Sequence, residues 1–351
     1  MKKIYVIAIG ICVLLAAIGV ITWYKVGRKI AAPATVQAPT QLSVRLSWLI
    51  NANQAGFIVA KAKGFYQQQN LDVTNNAGGN DFPSIQLVAS GSDDIGIQSG
   101  SETIISARAN NIPVKAIAIL DKLNPYVFFS LAESNITAPK DFVGKTVAVS
   151  YGRPLEIAYR MLMNKAGVDM AKVKEVKKSP SDVTLFSKTV DVQPGFDADY
   201  IFSKYKADKM GVKLNAIRPA DYGINSYGYV IFAREDFIQQ HPDVVEQYLH
   251  ATLKGWKYAF EHPEEAVDLV LAAVPDAKLE RAPELLALQS REKYIYPKDT
   301  KTSLGWMEQS VWEEMQSGML QQKLIDKAVD IPSLYTNEFL ERIYQKDPTL
   351  R

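Results

Sequence analysis

The sequence predicts an α/β protein of two lobes built on mixed, mainly parallel sheets, and three observations predict it. Strand and helix patterns alternate from Leu42 to Leu120, and the alternation begins again near Asp141. Val114–Leu120 and Thr146–Ser150 are apolar runs of the kind found in strands covered on both faces. The second unit is shorter and inserted, because an extended segment from Tyr227 and a helix-rich tail follow it.

Each element has its own signal. Ile4–Tyr24 is an uncharged, mostly apolar run, long enough to cross a bilayer as a helix. Trp23 and Tyr24 close it like interfacial anchors, and Lys25, Arg28 and Lys29 follow. Residues 1–30 therefore read as an uncleaved signal anchor, and 31–40, small, polar and Pro-containing, as a tether. A folded domain follows over 41–351. Leu42, Val44 and Leu46 alternate with Ser43, Arg45 and Ser47 as in a strand. The polar loop at Trp48, Asn51 and Gln54 leads into a helix at Ala55. Leu71–Thr74 reads as a strand, Phe82–Ala89 as a helix, Asp94–Gln98 as a strand, and Ser101–Ala109 as a helix. In the second unit Thr146–Ser150 precedes a helix over Leu155–Ala166, with further strands at Val173–Val176 and Lys213–Ile217. Residues 184–207 read as helix–strand–helix, with Gln193-Pro194-Gly195 at the turn. The lobes would comprise about 41–128 plus 232–351, and about 133–226, with crossings near Phe128–Leu131 and Tyr227–Phe232.

Composition removes several functions. The formal charge of +2 hides a basic N-terminus: beyond residue 40 there are 35 basic and 38 acidic residues. Binding nucleic acid needs a basic surface, so none is expected. Cys12 is the single cysteine and lies inside the apolar run, so the folded domain has no disulfide or thiol chemistry. Gly144-Lys145-Thr146 lacks the glycine that a phosphate loop needs at Pro139 and precedes a strand, not a helix. His241, His250 and His262 have no metal-ligand spacing, and His241 and His262 precede prolines that start helices. No metal, cofactor or catalytic residue is expected, and the chain reads as a non-enzyme.

What remains is polar and aromatic residues at strand ends and crossings. Trp48, Asn51 and Gln54 follow the first strand, where an indole beside amides suits a flat, polar ligand. The same amides would equally serve to cap the helix. Ser99, Gly100 and Ser101 precede a helix N-terminus. Tyr151, Gly152 and Glu156 follow the first strand of the second lobe, although Glu156 would also suit a first-turn acid. Phe196, Asp197, Tyr222, Tyr227 and Asn124 complete the candidate ligand-binding set, with core packing the alternative for each aromatic. Closing the lobes would turn these strand ends into one cleft. The set has two acids and no cation apart from the nearby Arg153. It favours a neutral or weakly basic heteroaromatic over a sulfonate.

Several stretches carry a resemblance: Trp48-x-x-Asn51-x-x-Gln54 with VAKAKGFY, GSDDIGIQSGSETIISARANNIPVKAIA (91–118), APKDFVGKTVAVS (138–150), ADYGINSYGYVIFAREDFI (220–238) and HATLKGWKYAFEHPEEAVDLV (250–270). They are similar to solute-binding proteins of ABC importers of the nitrate, taurine and thiamine-pyrimidine-precursor type. The resemblance implies a type II periplasmic-binding-protein fold and a monomer on the extracytoplasmic face of the membrane. It implies partnership with a permease and an ATPase, and a small heteroaromatic ligand. Gln54 stands where that branch places a histidine, and the cysteine cluster of its pyrimidine synthases is absent. The alternatives are a receptor for a taurine-like anion, a membrane-tethered sensor, or an enzyme of pyrimidine or quinone-precursor metabolism on the same scaffold.

Overall fold

A computed structural model describes residues 38–79, 81–179, 182–297 and 303–350. From Pro39 onward the chain forms one compact unit. The expected anchor at Ile4–Tyr24 lies outside the described residues; among those described, no helix is long and apolar enough to cross a membrane.

Among the described residues, ten strands form two five-stranded sheets. The first contains β1 (Thr40–Arg45), β2 (Leu71–Asn76), β3 (Ile95–Gln98), β4 (Val114–Ile119) and β10 (Val230–Arg234), in the order β2-β1-β3-β10-β4. The second contains β5 (Tyr126–Leu131), β6 (Thr146–Val149), β7 (Lys174–Lys177), β8 (Val192–Phe196) and β9 (Leu214–Ile217), in the order β7-β6-β8-β5-β9. Both sheets are mixed: β1 runs parallel to β2 and β3, and β6 to β7 and β8, while β10 and β5 run antiparallel to both neighbours.

The strands alternate between two buried layers, as a sheet covered on both faces requires. In β5, Val127, Phe129 and Leu131 face one cluster and Phe128 faces another. In β10, Ile231 and Ala233 join the core that holds β1, while Val230 and Phe232 join the core of Trp312.

The helices that shape the site are α1 (Ala55–Ala62), α2 (Ser101–Ala109), α3 (Pro154–Lys165), α4 (Asp197–Lys209), α5 (Pro242–Glu261), α6 (Arg281–Ile295) and α7 (Gln309–Gln321). Helices α1 and α5 cross at Gly56 and Gly255. A Cβ on Gly255 would stand 2.2 Å from the Gly56 carbonyl oxygen, and one on Gly56 would enter the Trp256 indole. Trp256 fills the contact, edge-on to Phe57 with 5.6 Å between ring centroids.

Three details differ from the sequence reading. Residues 128–131 are not a crossing but part of β5, a continuously buried strand inside the second sheet. The chain leaves the first sheet between Ile119 and Tyr126 and returns to it between Ile217 and Val230. Gln193-Pro194-Gly195 is not a turn either, since it lies within β8. Proline is tolerated there because Val192 is the residue in register with β6, so Pro194 lies past that pairing.

Candidate functional site

The two crossings meet at Asp121. Its backbone carbonyl accepts from the Gly228 N–H at 2.9 Å, and Leu120 N–H donates to the Tyr229 carbonyl at 2.7 Å. Gly228 is required here, because a Cβ would lie 2.5 Å from the Asp121 side chain.

Asp121 is 1% exposed and is held by Arg291 of α6, itself 5% exposed. Nε and Nη2 of Arg291 donate to the two carboxylate oxygens at 3.1 and 3.2 Å, and Nη1 donates to the Asn53 carbonyl at 2.5 Å. The guanidinium stacks over Tyr229 at 3.9 Å and Trp256 at 4.6 Å. Burial pushes the Asp121 carboxyl upward against the opposing pull of Arg291. A second bond to the first loop comes from Glu284 of α6, which accepts from the Ala52 N–H at 2.8 Å. One C-terminal helix thus ties the loop after β1 to both crossings.

Beside this network is a small recess that opens to solvent. Asn53, Asp121 and Tyr229 form one side, Phe196 and Asp197 come from the second sheet, and Arg291 and Tyr294 come from α6. Asp197 opens α4 and bridges the units: Ser290 Oγ donates to it at 2.5 Å, and Lys293 and Arg218 at 3.2 Å each. Burial alone would raise the Asp197 carboxyl, but Ser290, Lys293, the Tyr294 hydroxyl and Arg218 together hold it below the ordinary range. Each charge facing the recess is thus already partnered.

A second polar cluster lies where α2 begins. Glu102 is 1% exposed and accepts from the Tyr126 hydroxyl at 2.8 Å and from Ser226 Oγ at 3.4 Å. Its Oε2 has no partner among the described residues. Gly100 leaves room for both side chains, since a Cβ there would meet the Tyr126 hydroxyl at 2.3 Å and Glu102 Oε2 at 2.6 Å. Burial pushes the Glu102 carboxyl up to about 7, and the Tyr126 and Ser226 hydroxyls offset only part of this. The sign follows from linkage: the folded protein keeps this proton up to about pH 7, whereas the unfolded chain gives it up near 4.5. The stabilisation is therefore full below pH 4.5 and is lost as pH rises to 7. Glu102→Gln is expected to flatten that dependence and to stabilise the protein at pH 8 by up to ~3 kcal/mol. Urea unfolding of both proteins at pH 5 and pH 8 checks it; an unchanged pH difference in the variant contradicts it.

The residues singled out from the sequence separate into groups. Phe196 and Asp197 line the recess. Ser99, Gly100 and Ser101 meet Tyr126 and Tyr227: the Tyr126 hydroxyl, which donates to Glu102, lies 3.3 Å from the Ser99 carbonyl, and Ser101 Oγ accepts from the Tyr227 N–H. The Tyr227 ring packs edge-on to Trp312 in the core. Asn51 caps the short turn before α1, accepting from the Asn53 N–H. Gln54 is fully buried and makes no capping bond; the Tyr229 hydroxyl donates to it at 3.4 Å. Trp48 is 41% exposed and so is not a core residue. Tyr151, Gly152 and Glu156 form a network on the second lobe. Tyr151 donates to Glu175, Gly152 N–H to Glu156, and Arg160 bridges Glu156 and Glu175. Asn124 donates to the Ile224 carbonyl, and Tyr222 packs against the core of the second sheet.

Asn53, Asp121, Tyr229, Arg291 and Tyr294 were not among the candidates. Asp121 had a signal, an acid closing the apolar run VKAIAIL. Arg291 and Tyr294 had none, because RAPELLALQSREKYI reads as an ordinary surface helix.

The fold and the cleft define a two-sheet periplasmic-binding-protein architecture. It superposes on the periplasmic aliphatic sulphonate binding protein SsuA from Escherichia coli with a TM-score of 0.65 at 16% identity, covering 84% of this chain and 91% of that one. Residues 51–266 match the NMT1/THI5 like family, and the chain belongs to it. It is 26% identical over 359 residues to the riboflavin-binding protein RibY of Chloroflexus aurantiacus, covering 97% of this chain and 99% of that protein. It is 29% identical over 247 residues to a formylaminopyrimidine-binding protein of Halalkalibacterium halodurans, covering 69% and 73%. It is also 25% identical over 314 residues to a 4-amino-5-hydroxymethyl-2-methylpyrimidine phosphate synthase of Legionella pneumophila, covering 86% and 92%. The resemblance read from the motifs holds at the level of the family.

Proposed function

We propose that this protein is the solute receptor of an ABC importer. In this reading it captures a small heteroaromatic solute of the thiamine-pyrimidine-precursor kind outside the cytoplasmic membrane and passes it unchanged to a permease driven by an ATPase. Residues 4–24 would tether it. The observation that carries the reading is the recess between the two sheets, with aromatic walls at Phe196, Tyr229 and Tyr294 and with acids already paired to cations. Such a site suits an uncharged ring. A sulfonate would need an uncompensated buried cation there, and the buried cation of the recess, Arg291, is paired with Asp121.

Trp48, Asn51 and Gln54, with Tyr151, Gly152 and Glu156 across the cleft, would complete the enclosure around the solute. Ser99, Gly100, Ser101, Asn124, Tyr222 and Tyr227 would shape it from the crossings. The test is calorimetric titration of the full-length chain with formylaminopyrimidine, followed by recovery of the ligand. Binding with unaltered ligand is expected, and conversion of the ligand would point to an enzyme. In the same titration Trp48→Ala should weaken binding about tenfold, because a lost aromatic stack contributes ~0.5–1.5 kcal/mol beyond area. Trp48 is 41% exposed and lies outside the core, so unfolding stability should fall by far less than the ~3–5 kcal/mol of a fully buried indole. Unchanged affinity would move the site away from this loop.

A further inference from the structure

Helix α3 belongs to the second lobe, yet both lobes share it. Tyr159, Leu162 and Met163 enter the core of the second sheet, while Ile157 and Met161 pack on the first-lobe cluster of Ile104, Ile105 and Trp312. Gly318 of α7 makes room for this contact, since a Cβ there would meet Met161 Cε at 2.4 Å. At the N-terminal end of α3, a Cβ on Gly100 would stand 2.9 Å from the Cβ of Pro154. The lobes thus meet along an apolar seam, with α3 on one side and α2 and α7 on the other.

Glu102 is a buried acid at the end of that seam. It stands in the first turn of α2, in the first lobe, and its partners lie beyond it: Tyr126 opens β5 in the second sheet, and Ser226 belongs to the returning crossing. The Tyr126 ring is fixed to the second lobe by Leu155, Ala158 and Phe196. Moving α2 away from α3 therefore draws Glu102 off the Tyr126 hydroxyl and lets water reach the carboxyl. A neutral carboxyl loses little by burial here, whereas a carboxylate recovers its hydration only when the seam parts. Burial accordingly keeps the proton on up to about pH 7 with the seam shut, against an ordinary value of 4.5 in water.

The surrounding elements bring other titratable groups. β5 carries the Tyr126 hydroxyl and the returning crossing that of Tyr227, both pushed upward by burial and so neutral in this range. The outgoing crossing carries Asp121, paired with Arg291, and Lys122, which burial pushes down to about 8. Arg153 precedes α3, Glu156 in its first turn pairs with Arg160, and Glu308 precedes α7. All of these remain when Glu102 alone is changed, so a Glu102→Gln variant isolates its contribution.

We infer that Glu102 is a proton-operated latch on the seam between the lobes: protonated, it holds α2 against Tyr126 and α3, and ionised, it favours their separation. The bias toward closure is full below pH 4.5 and is lost as pH rises to 7. The latch itself is independent of what the protein binds. Its consequence for capture rests on the solute-receptor reading, in which closed lobes hold the solute more tightly as pH falls.

The experiment measures lobe separation without ligand in the full-length chain. Spin labels are placed on Lys61→Cys in α1 and Lys172→Cys in the second lobe, both exposed positions, in a Cys12→Ser background. Pulsed electron paramagnetic resonance at pH 5 and pH 8 is expected to show a single short distance at pH 5 and a growing longer-distance population at pH 8. Glu102→Gln should keep the short distance at both values. Identical distances in the parent at both pH values, or the same shift in Glu102→Gln, overturn the latch and leave the receptor reading standing. Calorimetric titration with formylaminopyrimidine then reads the consequence. The parent should bind about tenfold more tightly at pH 5 than at pH 8, relative to the same ratio in Glu102→Gln, in which the solute's own titration cancels. Equal ratios in the two proteins overturn the coupling of the latch to capture. Distances that shift as expected in a chain that binds no formylaminopyrimidine at either pH uphold the latch and count against the receptor reading.

Discussion

Arg291→Met is expected to lower the unfolding free energy by about 3–5 kcal/mol, because it leaves the Asp121 carboxylate charged, buried and unpaired. Asp121 is 1% exposed, and its remaining neighbour is the Tyr229 N–H at 3.4 Å. Adding Asp121→Asn removes the stranded charge, so the double variant should recover most of the loss. Methionine roughly matches the length of the arginine stem and can keep its packing on Trp256 and Tyr229. Chemical denaturation of the two single variants and the double variant closes the cycle. A double variant as unstable as the two single changes summed would mean that the pair matters for geometry rather than charge. The network also bonds to the loop after β1 through the Asn53 carbonyl, so Arg291→Met should weaken solute binding even where it still folds.

Trp256→Ala is the second large effect, at about 3–5 kcal/mol of stability. The indole is fully buried, meets Phe57 edge-on, stacks on Phe260 with ring centroids 5.7 Å apart, and carries one face of Arg291. Its removal opens a cavity where α1 and α5 approach through Gly56 and Gly255, a contact too close for the backbones to collapse further. Urea denaturation followed by far-UV circular dichroism measures it. A loss below about 1 kcal/mol would show that neighbouring side chains refill the space.

The elements that the sequence revealed best have a clean local cause. Helix α2 runs over Ser101–Ala109 as its polar start and apolar spacing required, and β4 and β6 follow from uninterrupted apolar runs. β5 is itself such a run, YVFFSL, but the two-lobed pattern invited a crossing where a buried strand lies. Pro194 misled in the same way: local turn chemistry suggested a break, and the local end of pairing with β6 removed the need for one. In the site, Phe196 and Asp197 were legible because they follow a strand and open a helix. Arg291 was not, because its role comes from partners 170 and 238 residues away in sequence. A charged residue in a polar helix carries no mark of which carboxylate it will meet.

The position of β10 between β3 and β4 has a consequence for how the chain acquires its shape. The second sheet is made from one uninterrupted stretch, β5 to β9, and has all its strands once residue 217 is in place. The first sheet does not. One of its interior strands, β10, arrives only after that whole stretch, so until Val230–Arg234 is available β3 and β4 each keep an open edge inside what will become the core. Closing that gap spans more than a hundred residues of chain, a costly loop that delays the first-made lobe until last. The half that begins the domain is thus the half that finishes folding, and its unpaired edges are the surfaces a chaperone would have to shield in the interval.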